Sequence, residues 1–421
     1  MEESINLEIL NNGIRLLTVS AQTFPLAISS FWTRAGSRKD PKDKAGLAHF
    51  FEHLLSTRTK SFLDRQKRLI EIEKRGLFFN AYTSIETAKY YYIHPSNKTK
   101  SAIEFLMDGF TSSVIKPSDI EEESQIILDE ERQNRNDPTS YIWRLAFKGL
   151  WPESKMGNGF YGDETTIKAI SEKDFQSFYK KYYSPSNTVF IFINPDIKVL
   201  NQYKSIIGNL HSPTTTLITH LDTLGDKKDI IFEPRDISNV QLSLSFLTCP
   251  GSNQKDRLIL DLIKSYLASG WISQLITQLR IKNKYTYWVS GDTLNLEDTG
   301  FLKFTLSTDF SSLQNVIEIF EKEIISLKRI TIKNNVLNWH KTKYKSDFIK
   351  NSLTPENILS WYGSDLASFN QKPVLISKHL KDIQQVKSSD IQRVANKYFK
   401  SKNFSLALIG LTNSIKQIPN F

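Results

Sequence analysis

Alternating apolar and polar residues predict the first strands of the chain. Residues 5–10 alternate, Asn12-Gly13 gives a two-residue turn signal, and residues 14–19 return as the second strand of a hairpin. The same criteria predict later strands at 25–32, 77–94 (two strands) and 188–193, and helical periodicity at 47–54, 62–75, 98–136 and 171–182. Because strands and helices segregate in this order, the pattern predicts an α+β fold, a largely antiparallel sheet with helices packed on one face.

The same order of elements recurs in the second half of the chain. Residues 212–228 are rich in Thr and turn formers and predict a linker. Beyond it, the pattern predicts strands at 240–247, 287–293, 301–308 and 405–410, and helices at 256–279 (in two pieces) and across 313–398. We therefore expect two homologous domains, at residues 1–211 and 229–421.

Length and composition restrict the class of protein. A chain of 421 residues is too long for one ordinary hydrophobic core. The net charge is +10, but the basic residues are spread without a block, which argues against a nucleic-acid partner. The acidic, alternating start predicts no signal peptide, and no apolar run reaches the roughly 18 residues of a membrane span. The single cysteine, Cys249, fits a reducing compartment, so we expect a cytoplasmic protein without a membrane partner.

The five residues His49-Phe50-Phe51-Glu52-His53 carry the strongest chemical signal. Two imidazoles four residues apart, with a carboxylate beside the second, are the groups that hold a zinc ion and activate water. On a helix, the two histidines and Glu52 fall within an arc of roughly 100°, opposite an apolar stripe. An exposed helix with solvated His and Glu side chains predicts the same projection. The motif is therefore a hypothesis that needs a third ligand.

Candidates for the third ligand lie in the acidic stretch at 117–136. Ser118 and Glu121 have the spacing of a capping box, which predicts a helix start. Glu123 and Glu130 project into the same sector as Ile120, Ile126 and Ile127. An inward carboxylate is costly unless it is paired or binds a metal, so these two are the acidic residues to which we assign a role.

Three stretches resemble the pitrilysin-type inverted-motif zinc peptidases, which include insulin-degrading enzyme and the mitochondrial processing peptidase. Residues 36–55 (GSRKDPKDKAGLAHFFEHLL) are similar to the family's metal helix and its lead-in loop. Residues 80–92 (NAYTSIETAKYYY) are similar to its substrate-binding edge strand and the neighbouring strand. Residues 275–291 (LITQLRIKNKYTYWVSG) resemble the segment that carries an Arg/Tyr pair. The resemblance implies a zinc metalloendopeptidase that cleaves peptides or precursor leader segments in an enclosed chamber.

The resemblance also implies which residues form the metal site. His49, His53 and Glu130 match the zinc ligands, with one zinc ion per chain. Glu52 matches the general base, and Glu123 matches a helix glutamate that supports the site. Three protein ligands leave the fourth zinc position open, which is typical of a catalytic site. No second motif of this kind exists in the chain, so only the first half is expected to hold metal.

On the substrate side, the resemblance implies two further pairs of residues. Arg280 and Tyr287 match the pair that contacts substrate and the developing oxyanion. Asn80 and Ala81 match the edge strand that pairs with an extended peptide. The chain departs from the family here, since Leu77-Phe78-Phe79 precedes Asn80 where two glycines are frequent, and Leu55-Ser56-Thr57 follows the motif instead of Phe-x-Gly-Thr. These departures concern specificity and leave the metal chemistry intact.

The resemblance further implies partners. A full chamber in this family contains four such domains, and one chain of this length supplies two. We therefore expect a homodimer, or a heterodimer with a paralogue that lacks the metal motif. A noncatalytic peptide-binding or scaffold subunit of the same family is the alternative function.

Overall fold

The structure is a computed structural model that describes residues 3–21, 25–158, 160–210, 227, 229–411, 419 and 421. The predicted linker at 212–228 lies outside the described residues except for Lys227. Among the helices that are described, none is both long enough and apolar enough to cross a membrane.

The described strands, in chain order, are β1 Glu3–Ile9, β2 Arg15–Ala21, β3 Ala27–Thr33, β4 Phe78–Thr83, β5 Ala88–His94, β6 Thr188–Ile193, β7 Ile230–Pro234, β8 Val240–Thr248, β9 Val289–Asn295, β10 Gly300–Thr308 and β11 Phe404–Gly410. The described helices are α1 Leu47–Leu54, α2 Arg65–Lys74, α3 Thr99–Ser112, α4 Pro117–Asn136, α5 Pro138–Leu150, α6 Glu164–Lys168, α7 Glu172–Tyr182, α8 Ile197–Gly208, α9 Gln254–Ala268, α10 Leu313–Arg329, α11 Asn334–Asn351, α12 Pro355–Phe369, α13 Ile376–Gln385 and α14 Ser388–Tyr398. A π-helix, Ile276–Lys282, follows α9.

These elements divide between two compact units. Unit 1 comprises Met1–Arg132, Asn158–Asp222 and Asn351–Ser377, and unit 2 comprises Gln133–Gly157, Thr223–Lys350 and Lys378–Phe421. Each unit thus includes one helix from the other half of the chain, α12 in unit 1 and α5 in unit 2. The contiguous domain boundaries at 1–211 and 229–421 stay a prediction, whereas these units are discontinuous in sequence.

The sheet of unit 1 has the order β1-β2-β6-β3-β5-β4 in the described residues, and every pair is antiparallel except β2–β6. Side chains alternate between its two faces. Phe31 points into a core formed with α1, α3 and α7, whereas its neighbour Trp32 packs against Gly363 of α12 on the opposite face. Both faces of the sheet are therefore covered, and β4 lies at its edge.

Unit 2 repeats this plan with the order β7-β11-β8-β10-β9, in which only β7–β11 is parallel. Leu406 and Leu408 of β11 face a core built with α9, α10 and α14. The alternate residues, Ala407 and Ile409, pack against α5. The predicted α+β fold, with two units that each contain a largely antiparallel sheet, is confirmed, and the structure adds the helix on the second face.

Several elements differ from the sequence prediction. The pattern did not predict β7, α5 or α8. Helix α4 begins at Pro117 rather than with Ser118 as a cap, and the carboxylate of Asp119 accepts a hydrogen bond from the Lys116 N–H (3.1 Å). Proline is favoured at the first helical position because its missing N–H would be unpaired there in any case.

Because α12 packs closely on the unit 1 sheet, one methyl group added at Gly363 is expected to destabilise the protein. A Cβ on Gly363 would lie 2.5 Å from a ring carbon of Trp32. We expect Gly363→Ala to lower the free energy of unfolding by about 1–3 kcal/mol, because overpacking outweighs the roughly 1 kcal/mol gained in helix propensity. Ser364→Ala is the matched control, since that hydroxyl donates its hydrogen bond to the Ser360 carbonyl of the same helix. Urea unfolding compares the variants, and a Gly363→Ala chain as stable as the control would contradict this packing.

Candidate metal centre

Helix α1 carries the HxxEH motif and is only eight residues long. Its apolar stripe, formed by Leu47, Phe50, Phe51 and Leu54, is buried in the core of unit 1. The helix therefore keeps its orientation through packing, since a helix this short has little stability of its own. The opposite side presents the motif's polar side chains.

The N-terminus of α1 is fixed by a carboxylate outside the helix. Asp40, which is buried, accepts hydrogen bonds from the backbone N–H groups of Gly46 and Ala48, both at 2.8 Å. A negative charge at this position satisfies two unpaired donors and interacts favourably with the helix dipole. Gly46 itself has a φ of +93°, a conformation that favours glycine.

Three potential ligand atoms converge beside α1. Nε2 of His49 and Nε2 of His53 are 3.2 Å apart. Oε2 of Glu130, from α4, lies 3.7 Å from the His49 atom and 3.8 Å from the His53 atom. Bonds of about 2.0–2.1 Å in a tetrahedral zinc site place neighbouring ligand atoms about 3.3 Å apart. The three atoms therefore fit one zinc ion.

Two carboxylates approach this pair of imidazoles, and their surroundings distinguish them. The potential ligand atoms of His49, Glu52 and His53 all lie within 4.8 Å of one another. The Glu52 carboxylate, however, accepts a hydrogen bond from Thr83 Oγ1 (3.4 Å), whereas Glu130 Oε2 is within 3.8 Å of both imidazole nitrogens. Glu130 is therefore the better third ligand, and Glu52 stands beside the triad.

A second carboxylate of α4 orients His53. Glu123 is buried, and its Oε1 accepts a hydrogen bond from His53 Nδ1 at 2.9 Å. Its other oxygen accepts one from Arg65 of α2 at 2.7 Å. This places the His53 proton on Nδ1 and leaves the Nε2 lone pair free for a metal. The sequence projection placed Glu123 inward, as observed, but Ile126, projected into the same sector, is 46% exposed.

Burial and neighbouring charges set the pKa values of the site. Burial, followed by the charge of His53, lowers the pKa of His49 to about 3, so this imidazole is a neutral lone-pair donor. Burial also lowers the pKa of His53, but the Glu123 hydrogen bond and the nearby carboxylates together raise it above its ordinary value. Burial raises the pKa of Glu52 to about 7. Burial favours protonation of Glu123, yet the hydrogen bonds from His53 and Arg65 hold its pKa below the ordinary value.

The edge strand β4 passes next to this cluster. Asn80 and Ala81 lie on β4, which pairs only with β5 in the described sheet. The Ala81 N–H donates a hydrogen bond to the Asn80 side chain (2.9 Å). Thr83, at the end of β4, reaches the Glu52 carboxylate.

Arg280 and Tyr287 lie in unit 2, whereas the metal cluster lies in unit 1. Cζ of Arg280 is 4.3 Å from the ring centroid of Tyr287 and 4.4 Å from that of Trp271. Both rings are exposed, Tyr287 by 76% of its surface. The predicted pair is thus in contact, and Trp271 covers the guanidinium as a third member.

The sequence interpretation missed several residues that contact the predicted ones. Asp40 caps α1, Arg65 pairs with Glu123, the Tyr161 ring packs 5.0 Å from that of His49, and Trp271 covers Arg280. Asp40 and Trp271 are close in sequence to predicted residues, and this spacing could have suggested them. Arg65 and Tyr161 belong to other parts of the chain, and no pattern within one element predicts their contacts.

Glu123 connects His53 to Arg65 through hydrogen bonds, and we predict that zinc affinity depends on the negative charge of this carboxylate. We expect Glu123→Gln to raise the zinc dissociation constant by about 10–100-fold, because the amide cannot compensate the Arg65 charge or stabilise the imidazole as strongly. Glu122→Gln, an exposed neighbour on the same helix, is the matched control. Competition with a chromophoric chelator measures both constants, and equal affinities in the two variants would remove Glu123 from the site.

Comparison with known proteins identifies the family. The family model described as "Insulinase (Peptidase family M16)" matches residues 15–158, and "Peptidase M16 inactive domain" matches residues 169–344. An "Uncharacterized zinc protease" of Rickettsia felis is 24% identical over 97% of this chain and 98% of its own length. "Mitochondrial-processing peptidase subunit beta" of Homo sapiens is 21% identical over 98% of this chain and 85% of its own length.

Solved structures share the fold. "The crystal structure of a protease from Helicobacter pylori" superposes with a TM-score of 0.86 at 21% identity, over 97% of this chain and 99% of that one. A "peptidase M16 inactive domain from Pseudomonas fluorescens" gives a TM-score of 0.86 at 16% identity, over 99% of this chain and 100% of that one. The two family models together span most of the chain, and the His49–His53 sequence lies in the first matched segment. The chain therefore belongs to peptidase family M16, to which proteins named as zinc proteases also belong.

Proposed function

We propose that the chain is a zinc-dependent endopeptidase that holds one zinc ion through His49, His53 and Glu130. The observation that carries this proposal is the convergence of these three ligand atoms within 3.2–3.8 Å, with the Glu52 carboxylate beside them. Two neutral imidazole donors and one carboxylate form the donor set of catalytic zinc in hydrolases.

Zinc, when bound, acts as a Lewis acid and lowers the pKa of a coordinated water to about 7. The chain's own contribution to hydrolysis is then proton transfer by Glu52. Its carboxylate accepts a proton from the attacking water and donates that proton to the leaving amine. Thr83 holds the carboxylate through a hydrogen bond, so that the base is oriented before substrate arrives.

The substrate class we propose is an extended peptide, including leader segments of precursor proteins. A peptide can add as a further strand to the free edge of β4 through main-chain hydrogen bonds at Asn80 and Ala81. Phe78 and Tyr82 of this strand are 56% and 53% exposed, which offers apolar surface to peptide side chains. Because Thr83 of the same strand contacts Glu52, a peptide on this edge runs past the general base.

A noncatalytic peptide-binding subunit is the alternative function. That role needs the β4 edge and makes no demand on His49, His53, Glu52 or Glu130. Here all four side chains are present and close together, and a cluster of partly buried imidazoles and carboxylates is costly to fold without a cation. The metal set therefore favours the enzyme.

The first test separates metal binding from proton transfer. We expect Glu52→Gln to retain about one zinc per chain and to lose peptidase turnover by at least about 100-fold, because the amide has the carboxylate's shape but cannot accept the proton. A His49→Ala/His53→Ala double variant should lose the metal itself. Zinc content and cleavage of a mixed peptide library, read by mass spectrometry, give both results.

Two outcomes would contradict this proposal. Full zinc occupancy in the double variant would remove the two histidines from the site. Near-normal turnover by Glu52→Gln would mean that another group is the base. Removal of zinc from the wild-type chain by a chelator should abolish cleavage, and zinc should restore it.

We further propose that a second chain completes the catalytic chamber. The zinc set lies in unit 1 and the Arg280/Tyr287 pair lies in unit 2, so one chain carries both parts. A two-fold homodimer would let each chain supply the pair to the zinc site of its partner. Relatives named as a processing-peptidase "subunit beta" make a heterodimer with a paralogue the competing arrangement.

Complementation tests this assembly. Glu52→Gln and Arg280→Ala chains are each expected to be inactive or weak. Mixed under conditions that exchange subunits, half of the dimers are heterodimers with one intact site, so about a quarter of wild-type activity should return. Labelled chains verify the exchange. No recovery after verified exchange would show that the pair acts within its own chain or that a different chain supplies it.

A further inference from the structure

Tyr161 and Gly162, which precede α6, pack directly against the residues at the N-terminus of α1. A Cβ on Gly46 would lie 2.6 Å from the carbonyl oxygen of Tyr161. Gly162 has a φ of +70°, and a Cβ there would overlap the Ala45 carbonyl. Only glycine fits at these two positions, so the backbone of Tyr161 is fixed against the start of α1.

This contact places the Tyr161 ring against a metal ligand. Its centroid is 5.0 Å from that of His49, and the planes meet at 87°, the edge-to-face geometry that aromatic rings favour. Nδ1 of His49 is buried and has no hydrogen-bond partner in the described part of the chain. His53 is oriented by Glu123, whereas ring packing is what orients His49.

The Tyr161 hydroxyl forms no hydrogen bond with any of the described residues, and the side chain is half-buried. The ring packs on His49 of α1, and the same helix meets the edge strand where Thr83 of β4 donates a hydrogen bond to Glu52. A tyrosine hydroxyl beside the candidate ligands is therefore available as a hydrogen-bond donor to a peptide that binds along β4.

We propose that Tyr161 is a substrate-binding residue, whose ring holds His49 and whose hydroxyl donates a hydrogen bond to a carbonyl oxygen of a peptide on the β4 edge. This inference rests on the proposed peptidase function and deepens it. Unit 1 then supplies a donor to the substrate carbonyl by itself, in addition to any donor from Arg280 or Tyr287. A preoriented donor near the carbonyl that gains charge stabilises the transition state as well as the bound peptide.

Tyr161→Phe separates the ring from the hydroxyl, because phenylalanine keeps the packing against His49. The binding test uses full-length, zinc-loaded Glu52→Gln chains and a fluorescein-labelled peptide, the tightest binder from a mixed-sequence library, followed by anisotropy. We expect Tyr161→Phe in this background to raise the peptide dissociation constant about fivefold, the effect of one lost hydrogen bond. Zinc content should be unchanged. Tyr203→Phe is the control, since that hydroxyl bonds to exposed Glu104.

Turnover gives the second readout. In the otherwise wild-type chain, Tyr161→Phe should lower kcat/KM by about tenfold or more, whereas Tyr203→Phe should not. Tyr161→Ala should in addition raise the zinc dissociation constant, because His49 loses its packing partner.

The inference is overturned if Tyr161→Phe binds and cleaves peptides like the control, or if it loses zinc, since the hydroxyl would then act on the metal site rather than on substrate. The proposed function fails in a different way. If the wild-type chain cleaves no peptide while peptide binding still weakens in Tyr161→Phe, the peptidase proposal is wrong and the binding role of Tyr161 is supported.

Discussion

The site depends on docking an eight-residue helix whose own stability is negligible. Two imidazoles one turn apart meet at one point only if the backbone between them is rigid. Burial of the apolar stripe of α1 and the Asp40 cap at its N-terminus supply that rigidity. The close approach of the Tyr161 loop at Gly46 fixes the same end. The arrangement of the candidate ligands is therefore a consequence of packing in the core of unit 1, and core substitutions behind α1 should change the position of both imidazoles.

Electrostatics gives each of the three site carboxylates a different character. Glu123 is buried but ionised, because Arg65 and His53 both donate hydrogen bonds to it. Glu52 is half-buried and accepts a long hydrogen bond from Thr83, and burial raises its pKa to about 7. Glu130 is more exposed, and its Oε2 lies 3.7 Å from Nε2 of His49 and 3.8 Å from Nε2 of His53. In the proposed mechanism, similar side chains thus serve as support, base and ligand, because their surroundings differ in burial and in partners.

The local sequence pattern was sufficient to predict features that lie within a single helix or strand. The HxxEH spacing predicted α1 and its polar arc, strand β6 matched the predicted 188–193, and the inward face of α4 was predicted at Glu123. The exchange of α5 and α12 between the units was not predictable, because it depends on which sheet face a distant helix covers. Arg65 and Tyr161 share this limitation, since Arg65 meets Glu123 of α4 and Tyr161 meets His49 of α1 only in the folded chain. The sequence pattern therefore predicted the fold class. The residues that hold the site residues in place could be identified only from tertiary contacts.

The proposed mechanism requires one zinc ion between His49, His53 and Glu130. The decisive measurement is anomalous diffraction from crystals of the zinc-loaded chain, collected on both sides of the zinc absorption edge. We expect one anomalous peak per chain within about 2.2 Å of Nε2 of both histidines and of a Glu130 oxygen. Glu123 should bond to His53 without touching the metal. A peak elsewhere, no peak at this position, or a metal bound by Glu52 in place of Glu130 would overturn this ligand assignment.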